Sequence, residues 1–124
     1  MRNSIKGLLI DPENQIITEV DVIEDENKRS HLANIYEHLQ CSWVDVGRNC
    51  LSYLPSNPQD DLWFDDEGNF SECPYVFQLP RLVPLVGRAL ILSCDDKGNS
   101  MSHTLTPEDI DVLRASVIWG TRGC

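Results

Sequence analysis

Several groups of side chains in this chain have the chemistry to form a site. His31, His38 and Cys41 are potential metal ligands, with His38-x-x-Cys41 the one close pair. A structural zinc site takes four ligands, typically as two close pairs. No second pair is present, so these histidines are expected on a half-solvated helix flank, and no metal or other cofactor is expected. Asp65-Asp66-Glu67-Gly68-Asn69 and its near copy Asp95-Asp96-Lys97-Gly98-Asn99 have the acidity of calcium loops. An EF-hand needs oxygen ligands at positions 1, 3 and 5 before its Gly. Counting back from Gly68 puts Trp63 at position 1, and from Gly98 puts Lys97 at position 5. Both stretches are therefore expected to be short hairpin loops with a left-handed Gly.

Catalysis by a nucleophile would need Cys50 or Cys73 to meet His103 in space. Neither thiol is followed directly by a helix N-terminus that would activate it. The chain has no G-x-S-x-G, no P-loop and no G-x-G-x-x-G. It is expected not to be an enzyme. Binding is better served. Arg48, Arg81, Arg88 and Arg122 are planar forks suited to phosphate. With Tyr53 nearby, Arg48, Arg81 and Arg88 would form a pocket for a nucleotide-like ligand; otherwise they are solitary surface arginines paired with acids. Aromatic side chains dominate interface hot spots, so Trp43, Trp63 and Trp119 with Leu62 and Phe64 are candidate anchors, although most are expected to fill the core. Trp63 and Phe64 are consecutive, so on a strand they point to opposite faces. One of them leaves the core unless both faces are covered, by a helix, a second copy or a partner. Trp63, Phe64, Asp65, Asp66 and Glu67 are the expected partner-binding stretch.

The elements that must position these residues follow from pattern. Residues 83–99 organise the rest: Ala89-Leu90-Ile91-Leu92 is the longest clean apolar run, the mark of a strand buried on both faces. Cys94 ends it and is expected as a small buried hydrophobe. Residues 4–10 and 15–23 predict a hairpin about Asp11-Pro12-Glu13-Asn14, with Ile16, Val20 and Val22 on its apolar side. The acidic link 24–27 and the bases Lys28 and Arg29 lead into a helix. Leu32, Ile35, Tyr36 and Leu39 form its stripe, and it ends near Gln40. Residues 41–46 and 50–54 predict short strands, 55–60 a loop, 62–64 a strand, and 70–77 an extended return. Pro80 and Pro84 make 78–86 irregular or an edge. Thr106-Pro107-Glu108-Asp109 opens a second helix with a cap, a Pro at its first position and a capping-box acid. Ile110, Leu113 and Val117 are its stripe, Gly120 its stop, and 121–124 a short tail.

The expected fold is therefore α+β, one domain over 1–124. It has a single mixed, mainly antiparallel sheet of about five to six strands with two helices, in β-β-α-β-β-β-β-α order. At 124 residues the chain is large enough for one independent core, and 41% hydrophobic residues argue against disorder. Twenty acids against ten bases give a net charge of −10. That excludes a broad nucleic-acid face, which needs clustered cations, and leaves room for an acidic surface that engages a basic partner. Five cysteines with no C-x-x-C, no leader pattern and no spanning apolar run point to free thiols in the cytoplasm, away from membranes.

Ile5-Lys6-Gly7-Leu8-Leu9-Ile10-Asp11-Pro12, one helix, an apolar strand into Asp-Asp-Glu-Gly-Asn, then Val86-Gly87, the strand into Asp95-Asp96-Lys97-Gly98, and Leu105-Thr106-Pro107-Glu108-Asp109-Ile110 follow in that order. Over most of its length the chain thus resembles the domain-of-unknown-function family 3846. It departs from the family pattern at Cys41-Ser42, where members tend to carry Gly-Gly, and at Leu79-Pro80-Arg81, which lacks an Asn. The resemblance implies a small accessory protein of a phage or other mobile element and transfers no catalytic residue. The expected function is binding to a host protein, as an inhibitor of a host defence system, or self-association as a homodimer. The alternative is sequestration of a nucleotide-like signal.

Overall fold

A computed structural model describes residues 4–25, 30–68 and 71–122. Lys28, Arg29, Asn69, Phe70, Cys124 and the second half of the 24–27 link lie outside them. The elements are β1 (Ser4–Asp11), β2 (Ile16–Ile23), α1 (Leu32–Leu39), β3 (Val44–Gly47), β4 (Asp61–Asp65), β5 (Tyr75–Gln78), β6 (Leu85–Val86), β7 (Ala89–Cys94), β8 (Ser100–Met101), α2 (Pro107–Ser116) and β9 (Ile118–Thr121). The fold is α+β, with two helices and a main sheet in the order β2-β1-β7-β4-β3, which β8 extends from β7. A second, three-stranded sheet in the order β6-β5-β9 accompanies it. All these pairings are antiparallel.

The apolar run sits at the centre because both faces of the main sheet are covered. Leu90 and Leu92 meet Leu9, Val22, Ile35 and Leu39 under α1. Ala89 and Ile91 meet Leu8, Ile10, Leu62, Phe77 and Leu113 on the α2 side. Side chains alternate between faces, so a strand buried on both shows no polar alternation. Gly7 keeps the sheet flush: a Cβ there would lie 2.8 Å from a Leu90 methyl.

The hairpin turn forms as expected. The Asp11 carboxylate accepts from the Glu13 and Asn14 backbone N–H groups and from the Asn14 amide. Gln15, at φ 55°, completes the reversal. On β2, Val22 is buried and Val20 packs beside it, but Ile16 is 48% exposed. Ile17, from the other side, is buried opposite Ile10. With both faces covered, neither side of β2 is simply the wet one.

Four local expectations are corrected. Residues 50–54 form turns, not a strand. Leu51 and Leu54 are buried three residues apart, joined by a bond from the Leu54 N–H to the Leu51 carbonyl. The helix α2 stops at Ser116, and Gly120 lies inside β9, where its missing side chain admits Val76. Cys94 is exposed. The two Asp-Asp-x-Gly turns also differ. The second joins β7 to β8 with Gly98 at φ 84°. The first joins no hairpin, since β4 pairs with β3 and β7 while β5 belongs to the other sheet. Gly68 is there for proximity: a Cβ would stand 3.0 Å from the Val86 carbonyl oxygen.

The capping box of α2 is complete and does a second job. The Thr106 hydroxyl accepts from the Asp109 N–H, and the Asp109 carboxylate accepts from the Thr106 N–H. The same carboxylate accepts from both the backbone N–H and the hydroxyl of Ser56. Asp60, also buried, accepts from the Thr104 N–H and hydroxyl. Two buried carboxylates thus tie the loop before β4 to the start of α2.

Candidate functional site

The two edges of the main sheet are not alike. On β2, backbone groups at 17, 21 and 23 point away from β1, and side chains from both helices meet them. Arg114 donates to the Ile17 carbonyl at 2.8 Å. His38 Nε2 donates to the Asp21 carbonyl at 2.7 Å, and Asn34 accepts from the Ile23 N–H at 2.9 Å. An unpaired strand edge is a template for another chain, and covering it removes the template.

Among the described residues no side chain from a helix covers the β3 edge in this way. The Asp66 N–H donates to the Trp43 carbonyl, so residues 43, 45 and 47 turn their backbone groups toward β4. Val44 and Val46 therefore turn theirs outward. Of these, the Val46 N–H is closed by Asp45 Oδ1 at 2.8 Å. Trp43, at the entry to this strand, is 61% exposed. The β3–β4 register sets Val44 against Asp65 and brings Trp43 beside the turn after β4. There Asp45, Asp66 and Glu67 are exposed, and Asp65 is half-buried. Ser42, Trp43, Asp65, Glu67 and Ser71 line a shallow 210 Å³ pocket.

Arg122 ties down the loop that follows this acidic turn. Its guanidinium donates to the carbonyls of Gly68, Ser71 and Cys73, and its backbone N–H to that of Pro74. This arginine is committed to the chain itself. Arg122→Ala is expected to cost about 2–3 kcal/mol, as for hydrogen bonds to a charged donor. Arg122→Lys should not restore it, since an ammonium cannot fork to separated carbonyls. Thermal unfolding of both variants checks this.

The expected partner stretch divides. Trp63 packs against the α1 cluster and lines a 780 Å³ groove with His31, Leu32, Asp95 and Met101. Phe64 packs against the α2 cluster. A helix covers each face, and Asp65, Asp66 and Glu67 stay at the surface beside Trp43 instead. By residue type Trp43 is one candidate anchor among several; its place beside Asp65, Asp66 and Glu67 comes from the β3–β4 register.

The four arginines and Tyr53 do not converge. Arg88 donates to the His38 carbonyl at 3.2 Å and lies 3.7 Å from Asp11. Its 140 Å³ cavity is also lined by Glu13 and Asp65, which oppose an anion. Arg48 follows Gly47, in the Leu62–Ile91 row, at the other end of the sheet. That is about 13 Å along the strands and two strand spacings away. Arg81 is exposed in the β5–β6 loop at φ 66°, and the Tyr53 hydroxyl bonds to Ser116 at 2.9 Å.

Neither Cys50 nor Cys73 pairs with His103. The Cys50 and Cys73 thiols donate to the carbonyls of Arg48 and Tyr75. His103 Nδ1 accepts from the Leu105 N–H, while Nε2 meets Glu19 at 3.0 Å. Burial pushes the Cys41 and Cys50 thiols above their ordinary pKa, with Asp65 and Asp61 adding to it. Desolvation and Asp61 raise Cys94 likewise. The Cys41 thiol donates to the Trp43 carbonyl at 3.5 Å. Among the described residues no three His, Cys, Asp or Glu side chains cluster to hold a metal. No helix among them is long and apolar enough to cross a membrane.

No family model matches the chain, and neither a curated protein nor a solved structure matches it.

Proposed function

We propose that the protein acts by binding, engaging a basic partner protein through the acidic face around Trp43. The observation that carries this is a 61% exposed tryptophan at an uncovered sheet edge, beside four carboxylates of Asp45, Asp65, Asp66 and Glu67. A large aromatic gives contact area at low entropic cost, and rim carboxylates steer a cationic partner and reject anionic ones. The net charge of −10 reinforces that steering over the whole surface. The family resemblance adds the setting: an accessory protein of a phage or mobile element that inhibits a host system.

The test is a lysate pulldown with three baits. The unmodified chain retains a host protein at stoichiometric level, and Trp43→Ala and Asp66→Lys each lose it. Loss at Trp43 should be about 30-fold or more in Kd, the hot-spot range. Unfolding free energy should change by no more than about 0.5 kcal/mol, as for exposed sites. Equal recovery on all three baits would remove this function from the face.

A further inference from the structure

The uncovered edge says how the partner sits. We infer that the partner contributes an extended basic segment that adds as a strand to β3 and lays an arginine or lysine over Trp43. This rests on the binding face proposed above and goes further, since a face of charges and one aromatic needs no added strand.

Three observations support it. First, the Val44 N–H and C=O and the Val46 C=O point outward from β3, three ladder positions in a row that alternates every second residue. Second, Arg114, His38 and Asn34 cap three backbone groups on the opposite edge, so among the described residues β3 is the more open of the two edges of the main sheet. Third, charge selects the occupant. Asp45, Asp65, Asp66 and Glu67 crowd the edge. Among the basic side chains that approach it, Arg88 faces Asp11, Arg122 is spent on loop carbonyls, and the exposed Arg48 stands past Gly47, at the end of β3 away from Trp43. A second copy placed edge to edge would set this acidic row against itself. A guanidinium or ammonium over Trp43 gains a cation–π contact and the neighbouring carboxylates together. Asp45 has a part of its own: while its carboxylate holds the Val46 N–H, the edge cannot pair with every strand that meets it.

The experiment uses the whole chain and synthetic eight-residue peptides of alternating Arg and Val. Its companions are the Glu/Val counterpart and two Arg/Val versions N-methylated on either alternate set of amides. Residues of one parity present their N–H groups to β3, so methylating that set blocks the ladder and methylating the other does not. The Arg/Val peptide should bind and slow amide exchange at Val44 by at least tenfold. One methylated version should bind at least tenfold more weakly and the other should not. The Glu/Val peptide should not bind. Val44→Pro removes the outward N–H at an edge position where proline is tolerated, and should lose the peptide while the circular dichroism of the fold is kept. If both methylated peptides bind equally and Val44 exchange is unchanged, yet Trp43→Ala abolishes binding, the strand addition is wrong and the binding face stands. Absence of binding at peptide concentrations on the order of 1 mM, the weak end of the affinity scale, overturns the inference. So does a dimer whose Val44 is protected without peptide.

Discussion

Asp109→Ala lowers the unfolding free energy by about 2–3 kcal/mol, because it removes several part-buried hydrogen bonds to a charged acceptor, a class worth ~1.5–3 each at most. The Asp109 side chain is 0% exposed, whereas Ser56 and Thr106 lie at the surface, so water recovers only part of what their donors lose. Its loss strands the Thr106 N–H, the Ser56 N–H and the Ser56 hydroxyl at once. The cap and the loop tether fail together, which is why the cost exceeds the ~1 kcal/mol of an ordinary capping residue. Denaturant unfolding reads it as a lower midpoint at an unchanged slope. Asp109→Asn should fall between the two, since it keeps one acceptor oxygen. The same residue gives a pH signature. Burial works to raise its pKa, but the hydrogen bonds from Ser56 and Thr106 outweigh burial and hold it below the ordinary 3.8. A depressed folded value means the stabilisation is complete above the unfolded value and lost as pH falls through the folded one. Stability should therefore decline from about pH 4 downward. Asp109→Asn should reduce that slope without abolishing it, because Asp21, bonded to Lys6, and Asp95, bonded within its turn, are lowered too.

Leu90→Ala and Ile91→Ala should each cost about 2–5 kcal/mol. These are neighbours in sequence, and in a sheet with one wet face one of them would cost little. Here both are 0% exposed, Leu90 under α1 and Ile91 under the α2 side. A domain of this size is stable by ~5–15 kcal/mol, so the double substitution should remove a large part of that stability. Far-ultraviolet circular dichroism during urea titration of the three variants decides it. A cost under ~1 kcal/mol at either position, the level of a surface site, would mean that one face is not covered.

Where residue type alone decides the structure, the sequence was legible. The run at 89–92 announces a strand buried twice, and Thr106-Pro107-Glu108-Asp109 spells its helix start atom by atom. The Asp11-Pro12 turn is of the same kind. Where partners decide, it was not. Residues 50–54 have strand-forming side chains, but their leucines are needed three apart for one buried cluster. Gly120 was a plausible helix stop, and only β5 alongside makes it part of a strand. The two Asp-Asp-x-Gly turns share letters and differ in use, because one follows a strand whose neighbours are distant in sequence. The face was half legible: Asp65, Asp66 and Glu67 stand out as a stretch and Trp43 as one aromatic among several, while their pairing follows from the register of β3, which no local pattern encodes.

The central position of β7 also sets a clock. Strand β1 finds its second neighbour in β7, with Leu8 against Ile91, so roughly 80 residues of chain must be made between the two. About 65 of these follow β2, so at ~5–20 residues per second on the ribosome the finished β1–β2 hairpin waits about 3–13 s. An isolated two-stranded hairpin is marginal at best, so for that time Leu8, Leu9, Ile10 and Val22 have no settled place. The interval between making β2 and making β7 is when the chain most needs a chaperone, and slowing translation across residues 60–88 would lengthen it.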